Sequence, residues 1–169
     1  GMYNGASAKT QVEKLNEREK DENQEFIKRR EPREDFGTNP CSEIILRSRE
    51  FCNLSECIVR RHDTTESLIK KVRIATILGT FQSTLTNFRY LTKEWERNCS
   101  DERLLGVSLT GILDNPLTSG RKKGLDELLQ TLRKVAVDTN KEWSSKLGVK
   151  RSAAITCVKP SGTVSQLVD

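Results

Sequence analysis

The chain has 169 residues, of which 34% are hydrophobic and 31% charged, which allows one domain with a core under much solvated surface. No run approaches the roughly 18 consecutive apolar residues of a membrane span, and no basic-then-apolar leader is visible, so the sequence reads as cytoplasmic. A net charge of +5 suits a polyanion, either nucleic acid or a nucleotide phosphate, but the basic residues are interleaved with acidic ones and 5% aromatic content leaves few stacking platforms for single strands.

Residues 9–35 are dominated by Glu, Lys, Arg, Asp, Asn and Gln, with Val12, Leu15, Phe26 and Ile27 as the large apolar side chains. Such a stretch has little to bury. Charges at helical spacing (Glu13, Glu17, Lys20) predict a solvated helix, and Pro32 predicts the loop after it. Residues 1–36 are therefore read as a charged helix and loop, apart from an α/β unit over residues 37–169.

Past that point, short β-rich runs alternate with long amphipathic ones. Glu56-Cys57-Ile58-Val59-Arg60 predicts a strand. Thr64-Thr65 then offers an N-cap for a helix whose apolar positions are Leu68, Val72, Ala75, Leu78, Phe81, Leu85 and Phe88. Leu104-Leu105-Gly106-Val107-Ser108-Leu109 predicts the next strand, and a loop follows through Asn115 and Pro116. A second helix presents Leu125, Leu128, Leu129, Leu132, Val135, Ala136, Thr139, Trp143 and Leu147, with Gly148 at the expected C-cap. The run Ala153-Ala154-Ile155-Thr156-Cys157-Val158 predicts a third strand, leading into Lys159-Pro160-Ser161-Gly162-Thr163. Strand-helix-strand-helix-strand with helices of this length predicts parallel βαβαβ units. Three strands leave a sheet incomplete, so the chain is read as part of a larger barrel or sheet.

Five cysteines, Cys41, Cys52, Cys57, Cys99 and Cys157, are an odd count that argues for free thiols over a disulfide framework. The first sits in Asn39-Pro40-Cys41-Ser42-Glu43. The second follows eleven positions later, in Phe51-Cys52-Asn53-Leu54-Ser55-Glu56. This arrangement resembles the active-site finger loop of ribonucleotide reductases, specifically the adenosylcobalamin-dependent class. Two later segments resemble the same family in the same order: residues 104–114 and residues 155–167 around Pro160-Ser161-Gly162-Thr163-Val164-Ser165. Phe51-Cys52-Asn53-Leu54-Ser55-Glu56 with Val158-Lys159-Pro160-Ser161-Gly162-Thr163-Val164 looks most like the monomeric type that reduces ribonucleoside triphosphates.

The resemblance implies a fragment of a ten-stranded α/β barrel with a finger loop carrying a radical cysteine. It implies that Cys41 is the thiyl that abstracts the 3′ hydrogen of the ribose, that Glu43 is the general base for the 3′-hydroxyl, and that Asn39 hydrogen-bonds the sugar hydroxyls. Cys52 matches one of two cysteines that supply reducing equivalents and end as a disulfide. Its partner is expected on an earlier strand, and no cysteine precedes Cys41 here. Pro160, Ser161, Gly162 and Thr163 resemble a loop that holds the substrate phosphates. The implied partners are a ribonucleoside triphosphate, a thioredoxin-type reductant and the remainder of the reductase chain. Adenosylcobalamin is expected to be bound mainly by that remainder, and the fragment is expected to be inactive alone. Both chain ends fall within the expected barrel, as in a split or intein-interrupted gene, or with Gly1-Met2 as a cloning remnant.

The bland readings stand for the other thiols. Cys57 and Cys157 lie in strand-like runs and Cys99 in a polar loop, where cysteines are packing or surface groups. His62, after Arg60-Arg61, reads as a loop residue. Two competing functions remain: a zinc-stabilised module using Cys41, Cys52, Cys57 and His62, whose spacings do not form two close ligand pairs, and a basic nucleic-acid-binding module built on the charged N-terminal helix.

Overall fold

A computed structural model of the protein describes residues 5–18, 30, 34–120, 123–160 and 162–168. Lys20, Phe26, Ile27, Pro32 and Ser161 lie outside the described residues. In chain order the elements are α1 (Gly5–Arg18), β1 (Phe36–Thr38), β2 (Ile45–Arg47), β3 (Asn53–Ile58), α2 (Thr65–Gln82), α3 (Lys93–Glu102), β4 (Leu105–Thr110), a 3-10 turn at Ile112–Asp114, α4 (Leu125–Lys146) and the short α5 (Val164–Leu167).

β3 and β4 pair in parallel from Asn53↔Leu105 to Ile58↔Thr110. A long connection through α2 and α3 makes that possible, since parallel strands cannot be joined by a tight turn. The third expected strand is reduced to one parallel bridge, Val107↔Thr156, with hydrogen bonds from Leu105 N to Ala154 O (2.9 Å), Val107 N to Ile155 O (2.8 Å) and Cys157 N to Val107 O (3.1 Å). β4 is thus the central strand of an α/β layer.

Helices α2 and α4 cover one face of that layer. Cys57 and Val59, Leu68, Val72 and Ala75 of α2, Leu105 and Val107 of β4, Leu128, Leu132 and Ala136 of α4, and Ile155 form the main core. The expected N-cap of α2 is present as a reciprocal pair, Thr64 N–H donating to Ser67 Oγ (2.9 Å) and Ser67 N–H to Thr64 Oγ1 (3.3 Å). The expected stripe, however, runs past the end of the helix. α2 stops at Gln82, where the Ser83 and Thr84 hydroxyls donate to the carbonyls of Thr80 and Phe81 (2.7 Å each), offering the backbone an alternative to another turn. Leu85 and Phe88 fall beyond it, and Phe88 packs edge-on against Phe51 with ring centroids 5.4 Å apart. α4 ends as expected, with Gly148 at a positive φ of 66° just past the last turn.

Three departures concern the other end of the molecule. Cys99 is buried on helix α3 and not in a polar loop; the stretch Lys93–Glu102 carries so few apolar residues that its helical period is invisible. α1 is less solvated than its charge suggests, because Ala8 and Val12 bury against Phe36 and Ile45. Residues 36–47 form an antiparallel hairpin, β1 on β2, with register Phe36↔Arg47 to Thr38↔Ile45. Its base is clamped by buried charge: Glu102 meets Arg30 Nε at 2.8 Å and Arg47 Nε at 3.0 Å, and Glu50 lies 3.6 Å from both guanidinium groups. Arg30 also donates to the Ile45 carbonyl (2.9 Å).

Candidate active site

The turn of this hairpin is Asn39-Pro40-Cys41-Ser42-Glu43. It closes through Asn39 N–H to Ile44 O (3.3 Å) and Ser42 N–H to Asn39 O (2.9 Å), with Ser42 in the left-handed region at φ 63°. The Asn39 side chain spans the loop: Oδ1 accepts from Ile44 N–H at 3.1 Å, and Nδ2 donates to Glu43 Oε1 at 2.6 Å. Cys41 is left exposed at the tip. An amide, a thiol and a carboxylate from five consecutive residues therefore sit together, held by the local backbone.

Lys159 joins them from 116 positions or more away in sequence. Its backbone N–H donates to Ser108 Oγ on β4 (3.0 Å), and its Nζ lies 3.2 Å from Glu43 Oε1 and 3.5 Å from Cys41 Sγ. Burial opposes ionisation of Glu43, whose side chain is 5% exposed, but hydrogen bonds from its own backbone, Asn39 and Lys159 outweigh it and hold its pKa below the ordinary carboxylate value. Glu43 Oε2 is buried and lacks a hydrogen-bond partner among the described residues.

Below the tip, the face of β3 bearing alternate residues from Cys52 contributes two more groups. Cys52 Sγ and Cys157 Sγ approach from either side of Gly106: a Cβ there would lie 3.2 Å from the first and 3.1 Å from the second, so glycine makes the room both thiols occupy. Burial, followed by the neighbouring Cys157, pushes the Cys52 pKa up; burial and then Glu43 push that of Cys157 up to about 11. Both are neutral thiols at physiological pH, poor nucleophiles but competent hydrogen donors. Glu56 lies opposite Ser108 in register, with both carboxylate oxygens buried and unpartnered among the described residues, and burial raises its pKa. Sequence reading missed Glu56 and Lys159; the even-numbered alternation Cys52, Leu54, Glu56 was the available signal for the former. Cys157, expected to be a packing thiol, is half-buried beside Cys52. A cavity of about 320 Å³ reaches this region, with Glu43, Cys157, Arg30 and Lys14 in its wall.

Of the expected phosphate loop, Pro160, Gly162 and Thr163 follow Lys159 directly and lie exposed before α5; Gly162 has a positive φ of 54°. The zinc reading fails on geometry. Cys57 points into the core shared with α2, on the opposite face of β3 from Cys52, while Cys41 is exposed on the hairpin. Among the described residues no three His, Cys, Asp or Glu side chains could hold a metal ion, and no helix is long and apolar enough to cross a membrane.

No protein-family model matches the chain. The adenosylcobalamin-dependent ribonucleoside-triphosphate reductase of Lactobacillus acidophilus is 33% identical over 157 residues, covering 78% of this chain and 21% of that protein. A probable adenosylcobalamin-dependent ribonucleoside-triphosphate reductase of Dictyostelium discoideum is 28% identical over 132 residues, covering 78% and 17%. Among solved structures, a B12-dependent (class II) ribonucleotide reductase superposes with a TM-score of 0.63 at 27% identity, covering 78% of this chain and 21% of that one. The nucleic-acid-binding alternative has no support in these matches. By sequence and by fold, this chain is similar to a segment of the adenosylcobalamin-dependent ribonucleotide reductases, and it spans about a fifth of the length of the relatives it matches.

Proposed function

We propose that this chain supplies the radical-bearing loop of a ribonucleotide reductase that converts ribonucleoside triphosphates to 2′-deoxyribonucleotides. The observation that carries the reading is the hairpin tip: the Cys41 thiol, the Asn39 amide and the Glu43 carboxylate within one turn, brought to the start of the 160–163 loop by Lys159. In this reading residues 37–169 are part of a ten-stranded α/β barrel, and residues 1–36 are a charged helix and loop beside it.

A ribose 2′-hydroxyl is a poor leaving group, and the chemistry starts by removing hydrogen from C3′. Cys41, as a thiyl, takes that hydrogen, because S–H and activated C–H bonds are of similar strength. Glu43 accepts the 3′-hydroxyl proton on its unpartnered Oε2 while Asn39 orients the sugar hydroxyls. The 2′-oxygen then leaves as water. Cys52 and a second cysteine outside this chain deliver two electrons and two protons and end as a disulfide, and Cys41 recovers its radical when the hydrogen returns to C3′. A thioredoxin-type reductant, acting through the remainder of the reductase, regenerates the dithiol. Pro160, Ser161, Gly162 and Thr163 hold the substrate phosphates through backbone N–H groups and hydroxyls. Adenosylcobalamin, when bound, supplies the homolytically weak bond from which the radical originates, and the exposed thiol of Cys41 fits a cofactor carried mainly by the rest of the enzyme.

In a full-length reductase carrying this segment, Cys41→Ser is expected to abolish turnover with the fold intact by circular dichroism, and Cys52→Ser to permit at most a limited first turnover. Multiple turnover by the Cys41 variant overturns the proposal.

A further inference from the structure

Resting on that reading, we propose that Lys159 is a positioning residue for the Glu43 base: it fixes the rotation of the carboxylate and leaves one chosen oxygen free for the ribose hydroxyl. Lys159 is not free to wander, because its backbone is tied to Ser108, itself buried on the central strand. Its ammonium and the Asn39 amide both engage the same oxygen, Glu43 Oε1, at 3.2 and 2.6 Å. Two donors saturate the open lone pairs of one carboxylate oxygen. The other oxygen, Oε2, is buried and has no hydrogen-bond partner among the described residues, which is the condition of a base waiting for a proton donor. Because Nζ also lies 3.5 Å from Cys41 Sγ, one cation sets the spacing between thiol and base.

The surroundings make this charge matter. Facing Glu43 and Lys159 are Cys41 from the hairpin tip, Cys52 just before β3, Glu56 on β3, and Cys157 from the same segment as Lys159, with Lys14 and Arg30 in the wall of the cavity that Glu43 lines. Without Lys159, the burial of Glu43 would be opposed by the hydrogen bonds from its own backbone and Asn39 but by no charge from Lys159, which shifts the balance towards the protonated form, and that form cannot act as a base. A lysine that served only the substrate phosphates would need neither contact.

The test is Lys159→Met, with Lys159→Arg as the charge-conserving variant, in a full-length reductase carrying this segment, assayed for kcat and KM across pH. Loss of an opposite charge at this range is expected to raise the acidic limb of the kcat profile by about one pH unit or more, so that kcat on that limb, below both midpoints, falls by about tenfold or more, while KM changes less than about twofold. Arg is expected to restore most of kcat and return the limb. An unshifted limb with kcat near wild type overturns the proposal. So does a raised KM with unchanged kcat, which would assign Lys159 to the phosphates. If the Met variant fails to fold by circular dichroism, Lys159→Gln carries the same comparison. Cys41→Ser in the same preparation separates the two ideas, because activity there would overturn the reductase reading itself.

Discussion

Removing Glu102 should cost far more stability than removing Glu102 and Arg30 together. The Glu102 side chain is 1% exposed and holds Arg30 at 2.8 Å and Arg47 at 3.0 Å; Arg30 is itself 2% exposed. In Glu102→Ala, Arg30 loses its 2.8 Å partner and faces Glu50 at 3.6 Å, while Arg47 keeps Glu50 (3.6 Å), Asp101 (3.5 Å) and Glu34 (3.6 Å). Breaking a buried pair on one side strands a desolvated charge and costs about 3–5 kcal/mol, whereas exchanging both partners for apolar groups of similar volume is often neutral or stabilising. Glu102→Leu with Arg30→Met should therefore recover most of the loss. Urea unfolding followed by circular dichroism of wild type, Glu102→Leu, Arg30→Met and the double variant gives the four corners of the double-mutant cycle. A cost below about 1 kcal/mol for Glu102→Ala would mean that water reaches the clamp and screens it, as at surface pairs. The hairpin would then be held chiefly by the apolar contacts of Phe36, Ile44, Ile45 and Leu46.

Two further outcomes follow from the same physics. Burial, then the neighbouring Glu102, pushes Glu50 from 4.5 up to about 8, so the native state binds a proton that the unfolded state releases between those values. Its contribution is fully present below pH 4.5 and is lost as pH rises towards 8; Glu50→Gln should flatten the stability profile across that window, and an unchanged slope would refute it. Asn140 is buried on α4, donates to Thr80 Oγ1 and Ser152 Oγ, and accepts from Ser152 N–H, all at 3.0 Å, so Asn140→Ala should cost about 2–4 kcal/mol in urea unfolding by orphaning that N–H. A loss under about 1 kcal/mol would show that water replaces the amide.

What the sequence made legible was whatever repeats at a fixed period or sits within one turn. α2 and α4 announced themselves through Leu68, Val72, Leu128 and Leu132, and Thr64-Thr65 marked where α2 starts. The grouping of Asn39, Cys41 and Glu43 needed no knowledge of the fold, because five residues cannot separate far. The hairpin that displays them was invisible: β1 and β2 are three residues each, too short to show an alternation, and their pairing depends on a turn of Asn39 and Ser42 that carries no glycine signal. α3 was hidden by its charge, and its buried Cys99 and Glu102 face partners that no local pattern predicts.

The long-range part of the site follows from one register. With Leu54 opposite Gly106 and Glu56 opposite Ser108, a shift of β3 by one residue would turn Cys52 and Glu56 towards α2 and bring Cys57, now in the core, to the outer face. That register is specified from the core side, by Ser55 Oγ donating to the Ala75 carbonyl (3.1 Å) and by Asn53 Nδ2 donating to the Leu104 carbonyl (3.0 Å). The residues that fix the chemistry and those that fix its placement therefore alternate along a single strand. Ser108 extends the arrangement by anchoring Lys159 on the same face, so the groups gathered under Cys41 depend on hydrogen bonds made by residues that never approach it.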